Sequence, residues 1–245
     1  MTELHLTDNA KVKFKTNHKN TVGFSYGLLE DGGTCPGATT GVGGCLEIKE
    51  GRVRPTCYMA KITAIYKNVG KNLRENTEAV DAVEHEGKVA LFDNTIIKFK
   101  SSCKPEHWFY RLNYSGDFKN EAWAKAWSEA IKKHPDVKFW VYTRSYWLAH
   151  ILADCENLAL YLSIDPVNKE KVLAAYEPLK DKKNVALAWM DYKSEHKPEG
   201  VKFINCPETS GKIKNTPDEG GCAKCRLCFN YNDKIKLRNI GFTLH

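Results

Sequence analysis

Four cysteines in the last quarter of the chain have the residue types and spacing of a metal ligand set. Cys222, Cys225 and Cys228 follow one another at two-residue gaps in GGCAKCRLCFN, residues 220–230, and Cys206 stands upstream, directly before Pro207. The run C-x2-C-x2-C is the three-thiolate core of ferredoxin-type iron–sulfur binding, which a fourth cysteine, typically followed by proline, completes. Four soft thiolates also suit zinc, but zinc tends to take two separated C-x2-C pairs, one from each side of the ion. Three cysteines from one tight turn fit a cubane corner better. The spacing therefore predicts a [4Fe–4S] cluster on Cys206, Cys222, Cys225 and Cys228, with structural zinc as the alternative. Gly220 and Gly221 would let the backbone come close, as a cluster-wrapping turn needs.

A second group lies in CPGATTGVGGCLEIKEGRVRPTCYMAK, where Cys35, Cys45 and Cys57 occupy a glycine-rich stretch. Cys57 begins a predicted helix, whose unpaired N–H groups and dipole favour a thiolate. Three ligands on a cubane leave one iron open to a substrate or cofactor, so this group is a candidate second cluster. The competing readings are buried structural cysteines or a zinc site with a borrowed histidine. Cys103 and Cys155 fall outside any ligand spacing and read as core thiols. The chain has nine cysteines, an odd number, and its first residues lack the apolar core of a signal peptide. Both features point to the reducing cytoplasm, that of the host if a phage encodes the chain, where metal or redox chemistry outweighs disulfides.

The elements that must position these groups alternate along the chain. TVGFSYGLL reads as a strand, then the cysteine loop, then a long helix over residues 57–83. WFYRLNYSGDF, VKFWVYTRS, NLALYLSID, NVALAWMD and VKFINC follow as strands, with helices at NEAWAKAWSEAIKKH, YWLAHILADC and PVNKEKVLAAYEPLK between them. Strands apolar on both faces, each followed by an amphipathic helix, belong to a parallel sheet covered by helices. The expectation is an α/β fold: a partial (β/α) barrel-like domain over residues 1–205, containing the cysteine loop 35–57, and a cluster-binding extension over 206–245 packed on it. An open doubly wound sheet is the second choice, and no GxGxxG follows the first strand. Polar residues recur where the apolar runs stop: Asn113, Ser115 and Asp117, then Thr143 and Arg144, then Ser163 and Asp165, then Asp191. In a parallel barrel those ends face one mouth, which makes Asp117, Arg144 and Asp165 candidate catalytic residues. Residues that cap helices would give the same pattern, as Asp165 before Pro166 could.

A strand, a three-cysteine loop ending in Cys-aromatic before a helix, and a strand ending in a small-small-acid turn resemble the radical S-adenosylmethionine superfamily. The resemblance implies that Cys35, Cys45 and Cys57 hold a site-differentiated [4Fe–4S] cluster. It also implies that Ser115, Gly116 and Asp117 take the place of the turn that binds the methionyl amino group. The superfamily's loop has gaps of three and two residues, whereas here the gaps are nine and eleven. Cys35-Pro36 through Cys57-Tyr58, Arg111 to Phe118 with its SGDF turn, Phe139 to Arg144, and Cys206 through Cys228 also resemble a bacteriophage protein family. That resemblance covers roughly residues 30 to 230 and implies a phage-encoded iron–sulfur protein with a barrel-like fold.

Other chemistries find little support. There is no HExxH, deaminase spacing, Walker loop or G-x-S-x-G. Hydrophobic residues at 42% and charged residues at 27% describe a globular chain, and no run approaches eighteen apolar residues, so no membrane partner is expected. The net charge of +7 is spread along the sequence and permits a nucleic acid without demanding one. The reading is thus an iron–sulfur protein, as a radical enzyme acting on a small-molecule or nucleic-acid substrate with an electron donor. The alternative is a non-catalytic protein for electron transfer, redox sensing or binding of nucleic acid or a host protein.

Overall fold

The computed structural model describes residues 3–14, 19–41, 43–190, 196–232 and 234–243; Asp191 lies outside them. Strands β1 (Leu6–Thr7), β2 (Thr21–Val22), β3 (Leu46–Lys49), β4 (Arg52–Pro55), β5 (Phe109–Arg111), β6 (Lys138–Thr143), β7 (Leu158–Ile164), β8 (Val185–Trp189), β9 (Ile204–Asn205) and β10 (Ile240–Gly241) follow in chain order. The helices are α1 (Tyr58–Ile65), α2 (Lys67–Asp81), α3 (His85–Ser101), α4 (Glu121–Lys132), α5 (Ala149–Leu152), α6 (Lys169–Tyr176) and α7 (Gly221–Cys225). Eight strands form one sheet in the order β1-β2-β5-β6-β7-β8-β10-β9, while β3 and β4 pair separately. Only β1 runs antiparallel to its neighbour; every other pair in the large sheet is parallel. Five parallel strands, β2-β5-β6-β7-β8, therefore follow one another in sequence order, as in a (β/α) barrel, but β10 comes before β9 and the sheet stays open.

Side-chain alternation explains its two faces. Every residue of β7 and of β8 is buried, so both faces are covered. Leu158, Leu160, Leu162 and Ile164 of β7, with Val185, Leu187 and Trp189 of β8, meet the helices. On that side Phe92 of α3 stacks on Trp127 of α4 at 4.0 Å between ring centroids. The intervening positions, Ala159, Tyr161, Ala186 and Ala188, turn to the opposite inner face with Trp140. Three alanines there leave room for backbone to lie close, and two chain segments fill it. Val12 and Phe14 come from before β2, and Ala223, Phe229, Tyr231 and Leu237 come from beyond Cys206. Residues 206–239 are thus bracketed by β9 and β10, two strands of the same sheet.

Several local expectations change. The helix expected over 57–83 is broken at Tyr66 into α1 and α2, and the apolar stretch 89–99 is the middle of α3. Between Cys45 and Cys57 stands a hairpin, β3–β4, that the sequence reading left as loop. Its two-residue turn places Glu50 and Gly51 at φ 52° and 70°, the doubly left-handed pair of a tight hairpin turn. Trp123, Trp127, Trp140 and Trp189 are fully buried core residues.

Asn76 fastens α2, and with it the end of the cysteine loop, to the edge of the sheet. Its carboxamide accepts from the His5 N–H at 2.6 Å and donates to the carbonyls of His5 at 3.0 Å and Gly23 at 2.9 Å, while fully buried. Asn76→Ala should lower the unfolding free energy in denaturant titration by about 2–4 kcal/mol, because two buried carbonyls and one N–H lose their partner. A loss near zero would mean that β1 and α2 dock without it.

Candidate functional site

The long gaps in the first cysteine group are closed by backbone pairing. Leu46 N–H donates to the Thr39 carbonyl at 3.0 Å, and Gly41 N–H donates to that of Leu46 at 2.8 Å, which returns Cys45 toward Cys35. The β3–β4 hairpin then returns the chain to its own base. There the N–H groups of Thr56 and Cys57 both donate to the Cys45 carbonyl, at 2.9 and 3.2 Å. Cys35, Cys45 and Cys57 consequently lie close enough that each of the other two acts electrostatically on Cys35. Burial pushes the Cys35 and Cys57 thiols up. Backbone N–H groups of Met59 and Ala60, at the start of α1, reach the Cys57 sulfur and oppose that shift without overcoming it. The helix terminus expected to favour a thiolate is present, and desolvation outweighs it.

The loop is pressed onto the strand ends by contacts that leave no room for a side chain. A Cβ on Gly37 would stand 2.2 Å from the Arg144 carbonyl oxygen, and one on Gly116 would stand 2.3 Å from Thr34 Oγ1. Thr34 Oγ1 donates to the Ser25 carbonyl at 2.8 Å and accepts from the Asp117 N–H at 3.1 Å. Arg144, from the end of β6, forms an ion pair with Asp165, from the end of β7. It also donates to Thr39 Oγ1 at 2.8 Å and to the Gly43 carbonyl at 3.2 Å. Thr39 passes its own proton to Asp165 Oδ2 at 2.6 Å.

These contacts give the expected catalytic and cofactor-binding residues a different part. Asp117 accepts from Thr143 Oγ1 at 2.6 Å and the Phe118 N–H at 2.8 Å on one oxygen. Its other oxygen accepts the N–H groups of Arg144 at 2.7 Å and Ser145 at 3.2 Å. Both oxygens are saturated inside the chain, leaving none for a methionyl amino group. Ser115 Oγ donates to the Phe24 carbonyl at 2.9 Å, and Gly116 at φ 74° is packed under Thr34. Ser115, Gly116, Asp117, Arg144 and Asp165 are brought together at the strand ends, as the sequence suggested, and there they hold the loop.

The second cysteine group lies on the inner face of the sheet. Cys206 follows β9, where its N–H donates to the Gly241 carbonyl at 2.8 Å. Cys222 and Cys225 sit on α7, Arg226 at φ 55° turns the chain, and Cys228 follows. All four cysteines line one pocket, walled by Trp140, Tyr142, Leu227, Phe229 and Ile240, with Glu208 at its side. Burial pushes Cys222 up to about 11 and Cys228 higher still. The other three cysteines act electrostatically on Cys228, and the Tyr142 hydroxyl hydrogen-bonds to its sulfur. Tyr142 and Tyr161 come from adjacent strands and were not singled out from the sequence. The alternation within FWVYT and LALYLSI was their signal. Gly220 is needed for approach to the N-terminal segment, since its Cβ would meet the Ala10 carbonyl oxygen at 2.1 Å. Among the described residues no group of three or more His, Cys, Asp or Glu side chains stands where it could hold a metal ion.

Cys155 is buried against Ser128 Oγ at 3.3 Å, and Cys103 lies beside the Phe99 carbonyl oxygen at 3.6 Å. Both are packing thiols apart from either group.

Fold and site together define an open, mostly parallel α/β protein with one group of three cysteines at its strand ends and one of four on its inner face. A family model described as Gene product 88 matches residues 4–231, and the chain belongs to that family. It is similar to the Gene 88 proteins of Mycobacterium phage L5, at 31% identity, and Mycobacterium phage D29, at 28%. Each match covers 86% of this chain and 83% of the phage protein. No solved structure matches the chain. Among the described residues no helix is long and apolar enough to cross a membrane.

Burial alone would raise the Asp165 carboxyl, but the Arg144 charge, the Thr39 hydroxyl and the Asn168 N–H outweigh it and hold it below its ordinary value. A carboxyl lowered on folding stabilises the protein above its unfolded pKa of about 3.9 and loses that contribution as pH falls through the folded value. Asp165→Asn should therefore cost about 3–5 kcal/mol near neutrality, where it strands the Arg144 charge. Below about pH 4 the gap between wild type and variant should narrow. Denaturant titrations of both proteins across that range check the sign; a gap that widens in acid contradicts the assignment.

Proposed function

We propose that this phage-family protein is an iron–sulfur protein, with a [4Fe–4S] cluster held by Cys206, Cys222, Cys225 and Cys228. The observation that carries this reading is the single aromatic-walled pocket lined by all four thiols. Burial makes the Cys222, Cys225 and Cys228 thiols costly to ionise, and a bound metal is what makes such thiolates stable. Three thiols from one tight turn with a fourth beside a proline suit a cubane corner, and zinc is the alternative occupant.

The loop cysteines support a second cluster and an enzymatic role. Cys35, Cys45 and Cys57 converge despite their spacing, and three thiolates would leave one iron for an outside ligand. By resemblance that ligand is S-adenosylmethionine, whose reductive cleavage the cluster would supply when bound. In this reading Arg144, Asp165 and Asp117 are positioning residues that hold the loop against the strand ends. The inner-face cluster relays electrons from a donor, and the site of action is the host cytoplasm. A closed cluster with no open iron, serving electron transfer or redox sensing, is the competing reading.

Anaerobic purification with iron, sulfide and zinc analysis, followed by EPR of the reduced protein with and without S-adenosylmethionine, tests both. The double variant Cys222→Ser/Cys225→Ser should lose about four irons per chain, and the iron it keeps reports on the loop. A spectrum perturbed by S-adenosylmethionine in this variant, and lost in Cys35→Ser/Cys45→Ser, supports the enzyme. Stoichiometric zinc with no iron in wild type sinks the iron–sulfur reading altogether.

A further inference from the structure

Between the two cysteine groups the inner face carries polar side chains that the protein leaves unused. The strand-end segment of β5 alternates cleanly. Phe109 packs on the inner face, Tyr110 and Leu112 face the helices, and so Arg111 belongs to the inner side. Arg111 is half-buried, and among the described residues its Nε has no partner. Its Cζ lies 5.8 Å from the Tyr142 ring centroid. Its positive charge acts on Cys222 of one group and on Tyr58, beside Cys57 of the other. Asn113 is 6% exposed, and neither its Nδ2 nor its Oδ1 has a hydrogen-bond partner. Its backbone, moreover, is left-handed at φ 48°.

Each feature costs stability by itself. A buried amide with both ends unpaired keeps the desolvation cost of each end uncompensated, and a buried guanidinium N–H without an acceptor does the same. Native chains seldom keep such groups without a use. Here two occur two residues apart, at the carboxyl end of a parallel strand, where α/β proteins bind ligands.

We infer that Arg111 and Asn113 form a binding site for a small molecule that carries a carboxylate or phosphate next to an amide-like hydrogen-bonding group. Arg111 takes the anion, for which its fork of N–H donors is suited. Asn113 presents a donor and an acceptor side by side and recognises a group that offers the complement, such as a peptide amide or the edge of a nucleobase. This inference goes beyond the proposed cluster and holds whichever metal the thiolates take.

Binding to the full chain, purified anaerobically, is measured by calorimetry at constant ionic strength with three probes: inorganic phosphate, N-acetylglycine and adenosine monophosphate. The first carries only the anion; the others add an amide or a nucleobase edge, on a carboxylate or a phosphate. At least one of the two larger probes should bind wild type and weaken roughly ten-fold or more in Arg111→Gln. Lys171→Gln, which removes an exposed charge on α6, should leave the affinity unchanged. Asn113→Gly keeps the left-handed backbone, so it should fold with equal or higher stability. It should weaken N-acetylglycine or adenosine monophosphate while sparing phosphate. If no probe binds at millimolar concentration, or Arg111→Gln and Lys171→Gln bind alike, or Asn113→Gly keeps full affinity for both larger probes, the site does not exist as inferred. Iron content, read on the same samples, is a separate number, so loss of the cluster reading and loss of this site are told apart.

Discussion

The buried pair of Arg144 and Asp165 is the constraint on which the candidate site depends. Each residue comes from the end of a different parallel strand, and between them stands Thr39, a residue of the cysteine loop. A buried ion pair of this kind is weak evidence for stability, because desolvation consumes most of the attraction. Its value is positional. With Thr39 both accepting from the arginine and donating to the carboxylate, the loop can satisfy this polar centre in one register only. Gly37 and Gly116 then set the distance, since backbone and side chain of the neighbouring segment lie where their Cβ atoms would be. Positioning of the three cysteines therefore begins with residues outside the cysteine set.

The inner face follows a complementary logic. The period-two alternation of β7 and β8 sorts leucines, isoleucine and tryptophan to the helix side and alanines to the other. Large residues on one side support the helices, and small ones on the other side admit a chain segment against the sheet. That segment brings four thiols to one pocket and rests against Tyr142, Tyr161 and Trp140, which interrupt the alanines. The extension and the sheet are mutually dependent here, because β10 lies beyond the last cysteine and is itself hydrogen-bonded between β8 and β9.

Much of this was legible in the sequence because the relevant signals are local. Six apolar runs, most with helices between them, announced a parallel sheet, and the cysteines of the C-x2-C-x2-C run line one pocket with Cys206. What was hidden is tertiary. Asp117 sits in a turn that looks like a ligand-binding acid, and nothing in the local sequence says that four groups, three of them from the last residue of β6 and the two that follow it, will saturate it. Tyr142 and Tyr161 read as ordinary strand aromatics until the sheet pairs them. The openness of the sheet was also beyond reach, because closure depends on the twist and the terminal strands and not on the alternation of elements.

The cysteine loop shows why ligand spacing in sequence is a proxy for something else. A tight cysteine motif works because a few residues of chain cannot carry successive thiols far apart. Eleven residues could span far more than a cluster if they were extended. Here eight of them, Leu46–Lys49 and Arg52–Pro55, are the paired strands of a hairpin, which adds length without adding distance. The two-residue turn at Glu50 and Gly51 fixes the register, and the shared Cys45 carbonyl oxygen fixes the base. An insertion that begins and ends at the same place leaves the geometry at its base untouched, so the gap alone could not decide whether the three thiols meet. The Glu-Gly turn flanked by strand-forming Val and Ile carried that information. A reading of ligand gaps should therefore subtract any segment that can fold back on itself before judging whether the ligands converge.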